Sequence, residues 1–338
     1  MHEIDLSKYK IRTDLIIEHL NSFKEYKKSE EVYKDIKIET ITLDEDMASK
    51  INKKEGIYKT IYFDDVTDEG NFTNLLDATI KAIKDLLKDM GIKDSDSCLI
   101  VGLGNRKATP DALGPLSVDN IKITRQIVEL NLPLDNKYRV ISSLVPGVMG
   151  TTGIETKEII EGVIGKTKPD FLIVIDALAA SSLERINKTI QLTNTGIHPG
   201  SGLLNNRDEI SIETLNLPVI AIGIPTVVDA TTIVSNTINY LFRHFSYEKE
   251  NINNKSLKLV PPTSRNYKDH DKTLNKDERE EVMGLIGNLD EEEIKMLIAE
   301  VLTPLGYNLL VTPKEIDFVI SKLSKLLAKA LNKSLEIN

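Results

Sequence analysis

The sequence predicts an α/β fold, a mainly parallel sheet with helices on both faces. Three observations carry this expectation. Apolar runs of strand length recur, CLIVGLG at 98–104, FLIVIDALA at 171–179 and LPVIAIGIP at 217–225, and a strand covered on both faces of a parallel sheet reads as such a run. Segments with apolar residues three and four apart lie between them, as amphipathic helices require. Glycine and proline punctuate the boundaries.

In chain order, the first thirty or so residues are polar and irregular, and 22–36 is a dense charge run expected to form a solvated face or loop. Residues 35–43 and 56–64 alternate apolar with polar side chains, the pattern of half-buried strands. Residues 74–90 have helical spacing and stop at Gly91. After the strand at 98–104 comes a loop, then a helix over 115–130 opened by Pro115. A strand at 139–147, a helix at 156–165 and the strand at 171–179 follow, then a polar-alternating run at 189–194 and the glycine-rich loop TGIHPGSG at 195–202. The strand at 217–225 leads to a helix at 230–245. Residues 247–280 are rich in Asn, Lys, Asp, Glu and Pro and read as a surface insertion. Helices close the chain at 291–302 and after 312, the latter behind a Thr-Pro-Lys-Glu capping-box pattern.

With 338 residues, 41% of them hydrophobic, the chain can bury a large core; length alone suggests about two domains, and a single α/β unit with insertions fits as well. A net charge of −9 repels nucleic acid, and the absence of tryptophan with only 5% aromatics leaves few platforms for stacking bases. The one cysteine, Cys98, excludes an internal disulfide framework and fits a reducing cytosol. Lying before an apolar run, it reads as a buried structural thiol rather than a nucleophile. No apolar stretch is long enough to span a membrane. The N-terminus mixes charges into its apolar positions and so lacks the core of a secretory signal. The expected location is the cytoplasm, with neither nucleic acid nor membrane as a direct partner.

In an open parallel sheet, sites collect beyond the carboxyl ends of the strands. Asp176 closes the run FLIVI, where a carboxylate is expensive to desolvate and so should be hydrogen-bonded, paired or functional. Position alone leaves capping and function equally open. Asp111 sits in a loop stiffened by Pro110 and by Gly114-Pro115; alone it reads more readily as a helix N-terminal acid. Asp229, after the third apolar strand, has the same ambiguity with a stronger capping reading. Were Asp111 and Asp176 to face one cleft, one carboxyl would retain a proton while the other activates water. His198, Gly200 and Ser201 in the glycine-rich loop are candidates for the cleft wall. Other motifs fail. Lys107 stands where G-x-G-x-x-G needs its third glycine, no phosphate-binding P-loop or H-E-x-x-H occurs, and Gly200-Ser201-Gly202 is not a nucleophile elbow.

Four stretches read together resemble the germination proteases of spore-forming bacteria: CLIVGLGNRKATPDALGP with VDNIKITR, LVPGVMGTTGIET, PDFLIVIDALAA with SLERIN, and TGIHPGSGLLNNRDEIS running into PVIAIGIPTVVDATT. The C-terminal VLTPLGYNLLVTPKEID is similar too. The resemblance covers nearly the whole chain and is weakest at 20–75 and 247–280. It implies an endopeptidase that degrades small acid-soluble spore proteins at germination, made as a zymogen in the forespore and assembled as a homotetramer. The implied fold is similar to that of hydrogenase-maturation peptidases, with N-terminal strand insertions and C-terminal helices. The family's two catalytic aspartates lie in its TPDALGP and IDALAA motifs, which places them at Asp111 and Asp176. IDLSKYKIRTDL is similar to the propeptide region, implying self-cleavage between Asp14 and Leu15, with 1–14 as propeptide and 15–338 as a single peptidase domain. Cleavage after an acidic residue requires a basic specificity pocket, for which Arg106, Lys107 and Arg185 are the candidates. No cofactor is implied. Two rivals stand beside this reading: a divalent-metal peptidase using the same carboxylates with His198, and a non-enzymatic metal- or peptide-binding protein on the same fold.

Overall fold

Burial on both faces picks out the centre of the sheet. In the computed structural model, which describes residues 13–20, 23, 26–133, 135, 137–200, 207–254, 272–302 and 309–337, strands β4 (Cys98–Gly102), β6 (Phe171–Ala180) and β8 (Val219–Asp229) are buried almost throughout. Around them stand β1 (Lys28–Tyr33), β2 (Ile36–Leu43), β3 (Gly56–Tyr62), β5 (Ile141–Leu144) and β7 (Thr189–Thr193), in the order β1-β2-β3-β7-β8-β6-β4-β5. The described residues divide into two compact units, Arg12–Val227 with Thr312–Asn338, and Val228–Val311. The first twelve residues of the expected propeptide, Ser201, and 255–271 of the expected insertion lie outside the described residues.

In the larger unit the helices are α1 (Ile16–His19), α2 (Glu45–Lys50), α3 (Glu69–Asp89), α4 (Leu113–Val118), α5 (Arg125–Glu129), α6 (Met149–Thr152), α7 (Thr156–Thr167) and α8 (Ile212–Leu215). On one sheet face Ile100, Ile173 and Ile175 meet α3 and the C-terminal helix, through Leu75, Ile83, Leu86, Ile320, Leu327 and their neighbours. On the other, Leu99, Val101, Leu172 and Val174 meet Ile160 of α7. Alternation along the strand makes the two sets. Each fully buried aliphatic side chain contributes about 1.5–3 kcal/mol relative to exposure. Cys98 is buried in the first of these cores, and burial pushes its thiol far above the usual range.

The mainly parallel expectation is corrected. β4 runs parallel to β5 and β6, but β1–β2, β2–β3, β3–β7 and β7–β8 are antiparallel. The connection from β6 to β7 holds only a 3-10 turn, Leu183–Arg185, far less than the crossover that would return the chain parallel. The charge run at 22–36 contains β1, a solvated edge strand, rather than a loop alone. The helix expected over 115–130 is broken into α4 and α5. Between them Thr124 is drawn to the sheet edge, its N–H donating to Ile141 O at 3.0 Å and its hydroxyl accepting from Ile141 N at 2.8 Å. Asp176 lies within β6 rather than at its end.

The second unit is helical: α9 (Ala230–Glu250), α10 (Lys276–Met283) and α11 (Glu291–Leu302), with the short β9 (Leu310–Val311) pairing antiparallel to the end of β8. α10 opens on a reciprocal capping box between Asn275 and Glu278. The last helix, α12 (Ile316–Ser334), returns to the larger unit and has no side-chain cap. The expected box is not formed, because the Thr312 hydroxyl donates instead to Thr226 O at 2.9 Å.

α4 lies close against the carboxyl ends of β4 and β6. A Cβ on Gly114 would stand 2.3 Å from Leu103 O and 2.5 Å from Ile175 O, so this crossing accepts no side chain. Gly114→Ala should therefore lower stability by roughly 1–3 kcal/mol. Gly162→Ala, in the exposed helix α7 where an added Cβ meets nothing within 4 Å, should raise it by about 0.5–1 kcal/mol. Urea unfolding of the two variants checks the pair; equal effects would remove the close crossing.

Candidate active site

Asp176 continues the alternation of Leu172 and Val174 and so points to the α7 side of the sheet. It is buried, and its Oδ1 accepts the Ala177 N–H at 2.9 Å. Asp111 ends the 3-10 turn Thr109–Asp111, which forms because Pro110 presets its backbone. Its Oδ2 accepts the Asn105 N–H at 2.7 Å. Pro110 O in turn accepts the Thr226 hydroxyl at 2.8 Å, tying the turn to β8. Gly104, at φ +113°, makes the approach possible: a Cβ there would stand 2.0 Å from Asp111 O and 3.0 Å from its Oδ1.

Asp111 and Asp176 line one cavity of about 100 Å³, together with Gly147, Thr156, Gly200 and Arg207. That volume holds about three water molecules. Burial raises the Asp176 carboxyl well above the usual range, and the fields of Asp111 and then Asp14 add to the effect. Burial also raises Asp111, but the Asn105 N–H and the Arg207 guanidinium oppose it. The pair is unequal: Asp176 is the better proton holder and Asp111 the better anion. Such a pair can give a proton to one atom while taking one from another.

The other sequence candidates are distributed differently. Gly200 lines the cavity. His198 is exposed and stands 3.5 Å from Glu209, which also pairs with Lys54 at 2.6 Å. Asp229 caps α9, accepting the Thr232 N–H at 2.9 Å. Among the described residues no group of three or more His, Cys, Asp or Glu side chains is arranged to hold a metal ion. His198 does not line the cavity that holds Asp111 and Asp176. No helix among the described residues is long and apolar enough to cross a membrane. Of the proposed specificity cations, Arg106 pairs with Asp119 and Arg185 stands 3.2 Å from Glu18; Lys107 is exposed. Arg207 lines the cavity; sequence reading quotes it within the stretch TGIHPGSGLLNNRDEIS but does not single it out, because nothing local marks its contact with the aspartates.

Asp14 and Leu15 are held inside the larger unit. Leu15, Ile16, Ile17 and Leu20 are buried. Asp14 N donates to Ala179 O at 3.2 Å, and Ala179 N donates to Asp14 Oδ2 at 2.9 Å. Glu18 accepts the Ser181 N–H and hydroxyl, each at 2.7 Å, and the Thr13 hydroxyl. His19 Nε2 contacts Thr13 O at 2.9 Å, and burial lowers its pKa. Burial also holds the Lys53 ammonium below the usual lysine range, and Asp14 opposes this.

The family model described as germination protease matches residues 7–338. A germination protease of Priestia megaterium is 43% identical over 353 residues, covering 98% of this chain and 95% of the relative. One from a Geobacillus species is 44% identical over 354 residues with the same coverage. That of Oceanobacillus iheyensis is 43% identical over 349 residues, covering 97% and 94%.

The Asp176 environment also sets a sign for stability against pH. A carboxyl whose pKa rises on folding holds its proton more tightly in the folded chain. Its contribution is complete below the unfolded value, about 3.9, and is lost as pH rises through the folded value. Thermal unfolding should therefore show the native chain weakening, relative to Asp176→Asn, as pH rises above about 4. A difference between the two that stays constant with pH would mean Asp176 is not shifted.

Proposed function

The chain belongs to the germination protease family, and from that premise we propose that it is the precursor of a sequence-specific, aspartic-type endopeptidase that begins the breakdown of small acid-soluble spore proteins at germination. One observation supports the aspartic reading: the carboxyls of Asp111 and Asp176 line the same small cavity with unequal hold on a proton. In this mechanism ionised Asp111 takes a proton from water while Asp176 gives one to the peptide carbonyl. The water oxygen bonds to the carbonyl carbon. The tetrahedral intermediate then collapses: Asp176 takes back a proton from one of its hydroxyls, the C–N bond breaks, and Asp111 passes its proton to the departing nitrogen. Neither step calls on a cofactor.

The precursor reading rests on Asp14-Leu15, an acidic residue followed by an apolar one. We assign 1–14 as propeptide, the forespore and spore core as the location, and a homotetramer as the assembly. Neither nucleic acid nor a membrane is a partner in this reading. Arg207 suits the specificity pocket: it lines the aspartate cavity, and a guanidinium pairs with a carboxylate through a planar fork.

Asp111→Asn and Asp176→Asn should each fold and each process about 10²-fold more slowly or worse, with mass spectrometry showing full-length chain where the native protein yields a product starting at Leu15. Normal processing in either variant removes that residue from the mechanism, and a different start removes the junction. Arg207→Gln should erase the preference between peptides that carry Glu or Gln before the cut bond. A preference that survives in kcat/KM places the pocket elsewhere.

A further inference from the structure

Gln191 is a buried side chain in the middle of β7, where strand neighbours on both sides leave its amide no water. A buried amide left without partners costs about 1–3 kcal/mol. It finds them on either side of Leu15. Its Nε2 donates to Asp14 O at 3.2 Å, and its Oε1 accepts from Ile16 N at 2.7 Å. Asp14 O is the carbonyl of the Asp14-Leu15 bond. The same residue is held from the other side by both backbone groups of Ala179, on the strand that carries Asp176.

We propose that Gln191 is the residue that positions the Asp14-Leu15 peptide for self-cleavage and donates to its carbonyl oxygen as charge develops there. The proposal rests on the precursor reading above. In the step concerned, water oxygen bonds to the Asp14 carbonyl carbon, the bond to Leu15 N breaks, and Leu15 leaves as an amine with an added proton. Gln191 exchanges no proton. Its Nε2–H shortens toward the oxygen as that oxygen becomes negative, and its Oε1 keeps Ile16 and so the register of the leaving segment. Two other hydrogen-bonding groups at the junction are engaged elsewhere than on the Asp14 carbonyl. Thr13 Oγ1 takes the Leu15 N–H at 3.0 Å, and Glu18 N donates to Leu15 O at 3.2 Å.

The two halves of the amide can be separated by substitution. Gln191→Glu keeps the acceptor for Ile16 N–H and, when ionised, loses the donor to Asp14 O. Protonated, it regains an O–H donor. Gln191→Met keeps the shape and loses both. Full-length native protein and both variants are followed by mass spectrometry for the product starting at Leu15, at pH values from about 4 to 8, with thermal unfolding recorded for each. Asp14, Glu18, His19 and Lys53 titrate near the junction in all three proteins, so each variant's rate is read as a ratio to the native rate at the same pH. Gln191→Glu should be about 10²-fold slower near neutrality, the loss expected for one donor to a developing oxyanion, and should recover as pH falls. Gln191→Met should stay slow throughout. Native-rate processing in either variant near neutrality overturns the proposal, as does a loss in Gln191→Glu that does not change with pH. Should Gln191→Met fail to fold, the near-isosteric Gln191→Glu decides alone. A native chain that never yields a Leu15 start overturns the precursor reading itself, an outcome visible in the control without either variant.

Discussion

Backbone meeting backbone is the contact on which the site depends. α4 crosses the ends of β4 and β6 where Gly114 has no Cβ, and the chain leaving β4 turns at Gly104 directly beneath Asp111. Parallel register sets Gly102 opposite Ile175, so the residue after Ile175 emerges beside that turn. A carboxylate on a strand and one on a loop are thereby brought to the same small volume. No side chain has to be long or well placed to achieve it, because the distance is set by main-chain atoms at the limit of contact.

The chemistry follows from what surrounds each carboxyl. Desolvation acts on both, but Asp111 keeps the Asn105 N–H while Asp176, among the described residues, accepts the amide of its own neighbour, Ala177. Arg207 steadies the negative charge that remains. The N-terminal segment feeds into the same field through Asp14. Any group entering the cavity meets a proton holder and an anion already distinguished.

The sequence disclosed those parts whose signal is local. β4, β6 and β8 were visible because burial on both faces needs an unbroken apolar run, and α3 because its buried residues repeat at helical spacing. β1 was invisible as a strand, since an edge exposed on both faces imposes no pattern on its side chains. The direction of β7 was not legible either. Its run alternates with polar residues, yet Thr189, Gln191 and Thr193 are buried. Asp176 stood out because a charge at the end of an apolar run demands a reason. Asp111 did not, and only its match to a family motif set it beside Asp176. Arg207 and Gln191 escaped notice because what makes them interesting is contact with residues far away in the chain.

The lone thiol has a consequence for how the protein ages. Cys98 begins β4, fully enclosed, with ionisation strongly disfavoured. Oxidants and disulfides react with thiolate, so this sulfur offers them almost nothing. No second cysteine exists in the chain to pair with it. The folded protein therefore has no thiol route to cross-linking or to sulfenic acid, and it does not need a reductant to preserve it. Its long-term integrity is therefore set by the fold and the peptide chain rather than by the redox state of its surroundings.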